Sequence, residues 1–495
     1  MKKLNSVLII LVASFTGLFA QDFDDALRYS QIFYGGTARF MSMGGAFTAL
    51  GGDISTLSQN PAGLGVFRSS EISVTPQLYH IKTTTDLNGI SSDYLYNFNL
   101  NQAGIVANII NNKKESGLIS LNFGYTYTMK SNLNQNGLIR GVSNNSSMTD
   151  YWADVSAGYT KDELIDYVAD ADLAYWAGLI DTIPGYDKDY ASIFWYYGDS
   201  AFADYGQTIR RLISTDGSTS EHSFSIGGNY SDKFYFGMTL GVSRIYYVSH
   251  YEHLEKAGEI TPYGFDDFNY VLHYENTGTG FTAKIGGIFR PTDAVKIGFA
   301  LHSPTLYKIN EYVYDNISSS FTDGENRSYD NNPSRYSYAL TTPFRALAGV
   351  AIQLKKIGLI SADYEYVDYS AAKFSETGDG YDYSDKNDAI RNSLRATSNF
   401  RIGAEMRYNN LYLRGGYGYY GKSFTNDELN KDLDYNTFSV GTGFREKNVF
   451  VDFGFTRQIN SRKYVLYQST AGDAISNMSI GRNMFTLTFG YKFGY

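Results

Sequence analysis

The sequence predicts an all-β protein, a 14-stranded antiparallel β-barrel of the transmembrane kind. The first observation that predicts it is the carboxyl end, where every second side chain is large and apolar: Phe485, Leu487, Phe489, Tyr491, Phe493 and Tyr495. A period of two marks a strand whose faces meet different media. An aromatic outer face that continues to the last residue is typical of the closing strand of a membrane barrel.

Composition is the second observation. The 495 residues include 45 Tyr, 32 Phe and 49 Gly but only 8 Pro. Aromatic residues favour strands, and glycine suits tight turns and crowded barrel walls. Mean hydropathy is −0.30, and after position 20 no apolar run approaches the length of a membrane helix. The net charge of −9 speaks against nucleic-acid binding, and zero cysteines exclude a disulfide scaffold or a thiolate metal site.

Residues 1–20 have the form of a signal peptide. Lys2 and Lys3 form a charged start, an apolar stretch runs from 4 to 19, and Ala20 precedes a cut before Gln21. A membrane anchor is the alternative, but the apolar stretch is short and acidic residues follow it at once. The mature chain is therefore expected to begin near Gln21, beyond the inner membrane.

The third observation is that alternating segments come in pairs along residues 71–495, which are the predicted barrel. They lie near 71–80, 97–110, 116–130, 221–231, 233–252, 270–290, 294–314, 334–354, 357–374, 393–408, 411–421, 435–446, 448–467 and 483–495. Short connections alternate with longer ones, such as 81–96, along the whole chain. Short inner turns and long outer loops predict this alternation, whereas a soluble sandwich does not.

Charged residues on these strands are predicted to point into the lumen, because a charge on the lipid face costs about 2–4 kcal/mol. The predicted lumen charges are Lys284, Arg345, Asp363, Glu365, Arg401, Glu405, Arg407 and Asp452. Two interpretations of these charges are open: they line a polar conduit, or they form an ionic network that fills and stiffens the barrel.

The long extracellular loop, 131–220, is expected to be partly helical. Thr160 and Glu163 have the spacing of a capping box, and an apolar stripe from 164 to 175 follows. The loop holds all three tryptophans: Trp152, Trp176 and Trp195. They predict either an aromatic surface that captures apolar ligands or a small core that holds the loop together.

Residues 21–70 do not alternate and are predicted to form a hatch that plugs the barrel. The stretch 34–67 is rich in Gly, Ala and Ser, which allow backbones to pack closely against a wall. Asn60-Pro61 marks a rigid turn within it. A plug is also expected because a fourteen-stranded barrel is wide enough to leak small solutes.

The run SMGGAFTAL at 42–50, followed by Asp53 and by NPAGL at 60–64, resembles the hatch signature of the FadL/TodX outer-membrane transporters. The segments TPFR at 342–345 and SADYEYVDY at 361–369 add to the resemblance, which spans the mature chain. It implies a hatch or gating role for Gly44, Gly45, Asp53, Asn60, Pro61, Ala62 and Gly63. It also implies a lateral exit at a kink in the third strand, where Gly117 and Gly124 would permit a bend.

The resemblance implies an outer-membrane channel of a Gram-negative bacterium that admits hydrophobic or amphipathic molecules by ligand-gated passive diffusion. Long-chain fatty acids and aromatic hydrocarbons are the ligand classes expected. The alternative is a scaffold or shuttle component of a protein secretion apparatus. We expect a monomer that contacts outer-membrane lipid and a hydrophobic ligand, with no enzymatic activity, cofactor, metal or nucleic acid, since no catalytic or nucleotide-binding pattern occurs.

Overall fold

The structure is a computed structural model that describes residues 22–112, 116–196, 202–203, 205–259, 262–355, 357–378 and 380–494. The predicted signal peptide, residues 1–20, and the terminal Tyr495 lie outside the described residues. Most of the described strands form one closed antiparallel barrel, in which the first strand pairs with the last. The predicted fourteen-stranded fold is confirmed.

The fourteen strands follow one another around the barrel in sequence order. The first seven are β1 (Ser70–Asp86), β2 (Ile90–Asn111), β3 (Leu118–Asn132 and Gln135–Val142), β4 (Thr208–Tyr230), β5 (Phe234–Lys256), β6 (Phe265–Phe289) and β7 (Val295–His302 and Leu306–Phe321). The other seven are β8 (Ser334–Thr341 and Arg345–Leu354), β9 (Gly358–Asp368 and Lys373–Glu376), β10 (Ala396–Tyr408), β11 (Leu411–Tyr420), β12 (Tyr435–Glu446), β13 (Val449–Tyr467) and β14 (Ala474–Phe493).

At one end of the barrel, here called the inner end, short connections join the strands, among them 231–233, 409–410 and 447–448. Residues with positive φ turn the chain there, including Ser231 at 57° and Asp232 at 56°. Two successive positive φ values match the twist of a tight hairpin. The opposite end, called the outer end, carries the long loops.

An apolar belt surrounds the outer face of the barrel. Large side chains such as Met238, Ile285 and Phe299 are exposed there, while their chain neighbours face inward. Within the belt, aromatic rings pair across strands with centroids 5.2 Å apart: Tyr364 with Phe400, Tyr417 with Phe438, and Phe455 with Phe485. An apolar outer belt is what a bilayer requires of a barrel.

The predicted strand ends are wrong at the outer end. Only three residues separate β1 from β2, so most of the predicted loop 81–96 belongs to these two strands. The predicted loop 131–220 likewise shrinks to 143–207, because β3 reaches Val142 and β4 begins at Thr208. The strands rise beyond the apolar belt, where the outer face is mostly polar and the alternation that marks a lipid-facing strand fades.

The chain before the barrel runs through the lumen. Helix α1 (Phe23–Ser30) packs against the outer loops, including helix α6 (Ser384–Ser393). Helix α2 (Ala38–Ser42) and two 3₁₀ helices, Ile54–Ser58 and Pro61–Val66, follow towards the inner end, where β1 begins. No helix in the described ranges is both long enough and apolar enough to cross a membrane.

Loop 143–207 folds into three short helices, α3 (Met148–Ser156), α4 (Leu164–Tyr167) and α5 (Ala169–Trp176), followed by a hairpin of Ile180–Ile183 with Tyr186–Ser192. The helix expected from the stripe 164–175 is interrupted, because Val168 has φ −144°. The full capping box belongs to Ser147 and Asp150 at the start of α3.

Candidate functional site

The hatch, here residues 37–67, is held by hydrogen bonds between its own turns. Asp53 accepts from the Thr37 hydroxyl at 2.8 and 3.0 Å and from the Ser55 backbone N–H at 3.0 Å. The Asn60 amide donates to the Thr48 carbonyl at 2.6 Å, and its oxygen accepts from the Ala62 N–H at 3.1 Å. Both side chains are buried, so these bonds replace water for groups that would otherwise be unsatisfied.

Glycines of the barrel wall form a belt around the hatch. At eleven inward-facing positions, one on each of eleven strands, an added Cβ would come within 3.0 Å of a hatch residue. These positions are Gly104, Gly124, Gly227, Gly237, Gly286, Gly298, Gly349, Gly403, Gly416, Gly441 and Gly454. Several pair directly across strands, including Gly227 with Gly237 and Gly441 with Gly454. At positions such as Gly237, Gly298 and Gly416 the nearest hatch atom belongs to the backbone, and so close an approach of the hatch to the wall requires glycine there.

Two of the three other strands, β14 and β9, hold the hatch with polar side chains instead of glycine. On β14, the Thr488 hydroxyl accepts from the Ala38 N–H at 2.7 Å and lies 2.8 Å from the hydroxyl of Thr75 on β1. On β9, Asp363 accepts from the Thr48 N–H at 2.9 Å and from its hydroxyl at 2.7 Å. The contact between hatch and wall thus involves thirteen of the fourteen strands.

The predicted hatch residues lie within this contact zone. Gly44 and Gly45 have positive φ, 63° and 72°, in a turn pressed against β10 and β11. Pro61 begins a 3₁₀ helix capped by Asn60, and its carbonyl faces Gly237. Ala62 packs on Tyr235 and Ile288, and a side chain on Gly63 would collide with Thr56.

Three buried charge clusters join the N-terminal segment to the wall. In the first, Glu221 binds Lys130 and Lys284, and Lys284 donates to the Ser58 carbonyl at 2.8 Å. In the second, Glu365 accepts from Arg345 at 2.6 Å and Arg401 at 2.9 Å, and Arg345 also donates to the Ser30 carbonyl.

The third cluster is neutral. Glu405 accepts from Arg39 of the hatch at 2.8 Å and from Arg414 at 2.7 Å, and Arg414 also binds Asp452 at 2.6 Å. Buried ion pairs of this kind fix register and position more than they add stability. These contacts correspond to the stiffening network rather than to an open polar conduit.

Of the eight charges expected in the lumen, Arg407 differs, because it is exposed at the inner rim and donates to the Asn409 carbonyl at 3.0 Å. The other seven are buried within the barrel. Their partners Arg39, Lys130, Glu221 and Arg414 were not singled out from the sequence. Glu221 had a usable signal, since it shares the inward register of a strand whose Phe224 and Ile226 face out.

A small cavity lies above the hatch, next to residues 29–32 of the N-terminal segment. Lys130, Lys284, Arg345 and His302 contribute to its lining, together with hydroxyl groups of the wall. Three cationic side chains, Lys130, Lys284 and Arg345, line the cavity, and none of the carboxylate side chains that the structure describes lines it, so the lining is positively charged. An anionic group would complement it.

The third strand bends, but not at the expected glycines. Gly117 lies in the inner turn before β3, and Gly124 sits in an unbroken ladder, facing Leu57 of the hatch. The irregularities of β3 are register shifts around Ile119 and Lys130 and a break at 133–134. Beyond Thr128, β3 has no ladder to β2 among the described residues.

The N-terminal segment fills part of the space that this bend leaves. Phe33 and Gly35 donate backbone bonds to the carbonyls of Lys130 and Met129, both at 3.0 Å. The Asn101 amide of β2 donates to the Gly36 carbonyl at 2.6 Å. The segment therefore bridges β2 and β3 where their own ladder has stopped.

The three loop tryptophans do not form one surface. Trp152 is fully buried, packs on Phe268 and Tyr270, and donates to Asp170 at 3.2 Å. Trp176 is half exposed, and Trp195 is partly buried. A shared capture surface is therefore wrong for Trp152, which belongs to the core that docks the loop on the barrel.

The geometry defines a class: a fourteen-stranded barrel plugged by its own leading segment. No protein-family model and no curated protein sequence matches the chain. Solved structures do. A FadL homologue from Pseudomonas aeruginosa has a TM-score of 0.55 at 12% identity, over 94% of this chain and 100% of that one.

Two toluene transporters are similar in the same way. TodX of Pseudomonas putida has a TM-score of 0.52 at 12% identity, covering 94% of this chain and all of its own. TbuX of Ralstonia pickettii has a TM-score of 0.50 at 15% identity, covering 93% and 99%. At this identity the likeness establishes the fold, so the FadL/TodX resemblance is confirmed for the architecture. Among the described residues, no group of three or more His, Asp or Glu is placed to hold a metal ion.

Proposed function

We propose that the protein is an outer-membrane channel for the uptake of hydrophobic or amphipathic molecules by passive diffusion. One observation carries the proposal: an apolar lumen above a tightly fitted hatch. In the outer half, inward residues such as Ile245, Tyr307, Ile309 and Leu340 pack around Leu27 of α1. Barrel interiors are usually polar, so an apolar lining favours an apolar solute.

The charge beside the cavity favours an anionic amphiphile, such as a long-chain fatty acid, over a neutral aromatic hydrocarbon. Lys284 and Arg345 would meet the head group, and the apolar lining would surround the chain. Burying one CH₂ group contributes about 0.8 kcal/mol, so the affinity for a fatty acid would increase with the length of its chain.

We propose that residues 21–70 act as a plug whose central part is the hatch, with Gly44, Gly45, Asp53, Asn60, Pro61, Ala62 and Gly63 holding its shape. Because the hatch contacts thirteen of the fourteen strands, a solute would leave sideways, through the region between β2 and β3. Segment 31–36 would have to withdraw from Met129 and Lys130 for that exit to open. A mature chain that begins near Gln21 is part of the same proposal.

Uptake by a deletion strain complemented with the gene tests the proposal. Radiolabelled palmitate and toluene should both be offered, and we expect uptake of palmitate to require the protein. Lys284→Met should reduce it, whereas Lys422→Met, at an exposed pair with Asp432, should not. Uptake that is unchanged by the deletion for every compound, with stoichiometric protein partners in a pull-down, would favour the secretion-scaffold alternative instead.

A further inference from the structure

A second discontinuity crosses the barrel wall at β7 to β9, at least four strands around the barrel from β3. Three neighbouring strands are interrupted at positions that lie side by side in the wall: β7 at 303–305, β8 at 342–344 and β9 at 369–372. We call this line the crease. The ladder between β8 and β9 stops at Arg345 and Val367 and resumes at Thr341 and Lys373, so three residues of β8 face five of β9.

Prolines account for two of the three interruptions. Pro304 and Pro343 lack the N–H that a ladder needs, and the β9 interruption is a 3₁₀ turn, Tyr369–Ala371. Hydroxyls replace part of the lost pairing between β7 and β8. The Thr305 N–H donates to the Thr342 hydroxyl at 2.9 Å, and the Thr342 N–H donates to the Thr305 carbonyl at 3.0 Å.

The cavity above the hatch lies directly behind the crease. Its lining includes the crease residues Ser303, Thr305, Thr342 and Pro343, together with the inward-facing Arg345. On the outer surface, Phe344 is 46% exposed and Leu306, beyond the break in β7, is 60% exposed. A thin, weakly bonded part of the wall therefore separates a cationic cavity from the outer part of the apolar belt.

We propose that the crease is a second lateral opening, through which the apolar chain of an anionic amphiphile passes between the outer leaflet and the cavity. The head group would lie at Lys284 and Arg345 while the chain lies between β8 and β9. This rests on the proposed transport function for the identity of the solute. The opening itself is inferred from the interrupted strands of the wall, and its test does not require transport.

Cysteine labelling tests the opening directly, because the chain has no cysteine of its own. Thr342→Cys places a thiol at the crease, and Ser243→Cys is the matched control: a buried, inward hydroxyl on β5 between two uninterrupted ladders. Each variant is reconstituted in vesicles with a maleimide dissolved in the bilayer and a thiol quencher in the water. Heat-modifiable migration in gels selects the folded protein, and Thr305→Cys replaces Thr342→Cys should the latter not fold.

We expect the crease thiol to react at least about tenfold faster than the Ser243→Cys thiol, because fewer ladder bonds must break to expose it. Rates that agree within about twofold would overturn the opening. Palmitate uptake by the wild type is measured separately. Fast labelling of the crease thiol without palmitate uptake would contradict the transport function and support the opening. Palmitate uptake with equal labelling rates for the two thiols would support the transport function and overturn the opening.

Discussion

Replacing one glycine of the belt should loosen the hatch without unfolding the barrel. Gly298 on β7 is the sharpest position, because an added Cβ would lie 2.6 Å from both the Ala49 Cα and the Thr48 carbonyl carbon, and closer still to the Thr48 oxygen. These are backbone atoms that cannot rotate away. The hatch must therefore retreat from the wall by about 0.5–1 Å, and such overpacking costs about 1–3 kcal/mol.

That cost raises the population of displaced hatch by about 5- to 150-fold, since 1.4 kcal/mol corresponds to a factor of ten. Gly415→Ala is the matched control. It makes the same change on β11, where the nearest atom to the added Cβ is the Ser439 oxygen at 3.9 Å. The ladders around Gly298 remain, so the barrel should fold in both variants.

Single-channel conductance in planar bilayers, with sensitivity of cells to a large antibiotic such as vancomycin, measures the leak. We expect frequent openings and increased sensitivity for Gly298→Ala and wild-type behaviour for Gly415→Ala. A folded Gly298→Ala protein that conducts no more than the wild type would refute the tight seal between hatch and wall.

Three other changes have defined outcomes. Glu365→Gln leaves two buried arginines without their carboxylate and should cost about 3–5 kcal/mol in urea unfolding. Asp432→Asn, at an exposed pair, should leave the unfolding midpoint nearly unchanged, and equal midpoints for the two variants would contradict the buried cluster. Trp152→Ala should weaken docking of loop 143–207 by about 3–5 kcal/mol, seen as faster limited proteolysis, while the half-exposed Trp176→Ala should not. Burial, with Asp315 nearby, raises the pKa of the Asp170 carboxyl to about 6. The docked loop thus favours the protonated form, so lowering the pH from 7.5 to 5 should stabilise docking by about 1 kcal/mol and slow that proteolysis. Asp170→Asn should reduce this pH dependence without removing it, because burial also raises the pKa of Asp150 in the same loop to about 6.

The wall was predictable because lipid imposes one rule on every strand. Residues such as Phe485 and Phe489 face out on β14 because the bilayer requires apolar side chains there, and this requirement can be recognised in the sequence at each outward position. Above the belt the rule ends, which is why the sequence pattern stopped near Tyr79 while β1 continues to Asp86.

The interior was only partly predictable, because its contacts join residues far apart in sequence. Inward acids such as Glu365 were recognisable from alternation, but their pairing with particular arginines depends on barrel register. Glycine content hinted at crowding, yet the belt appears only when Gly237 and Gly298 are seen facing the hatch. Trp152 was ambiguous for the same reason, since Phe268 and Tyr270 lie more than a hundred positions away.

A crystal structure of the protein purified with a terminally brominated C16 fatty acid would place the solute without assumption. Anomalous bromine density is expected within the apolar lumen above the hatch, with the carboxylate beside Lys284 and Arg345 and residues 37–67 still in place. Bromine found only on the outer belt, with the lumen unchanged, would contradict the assignment of this barrel as a channel for anionic amphiphiles.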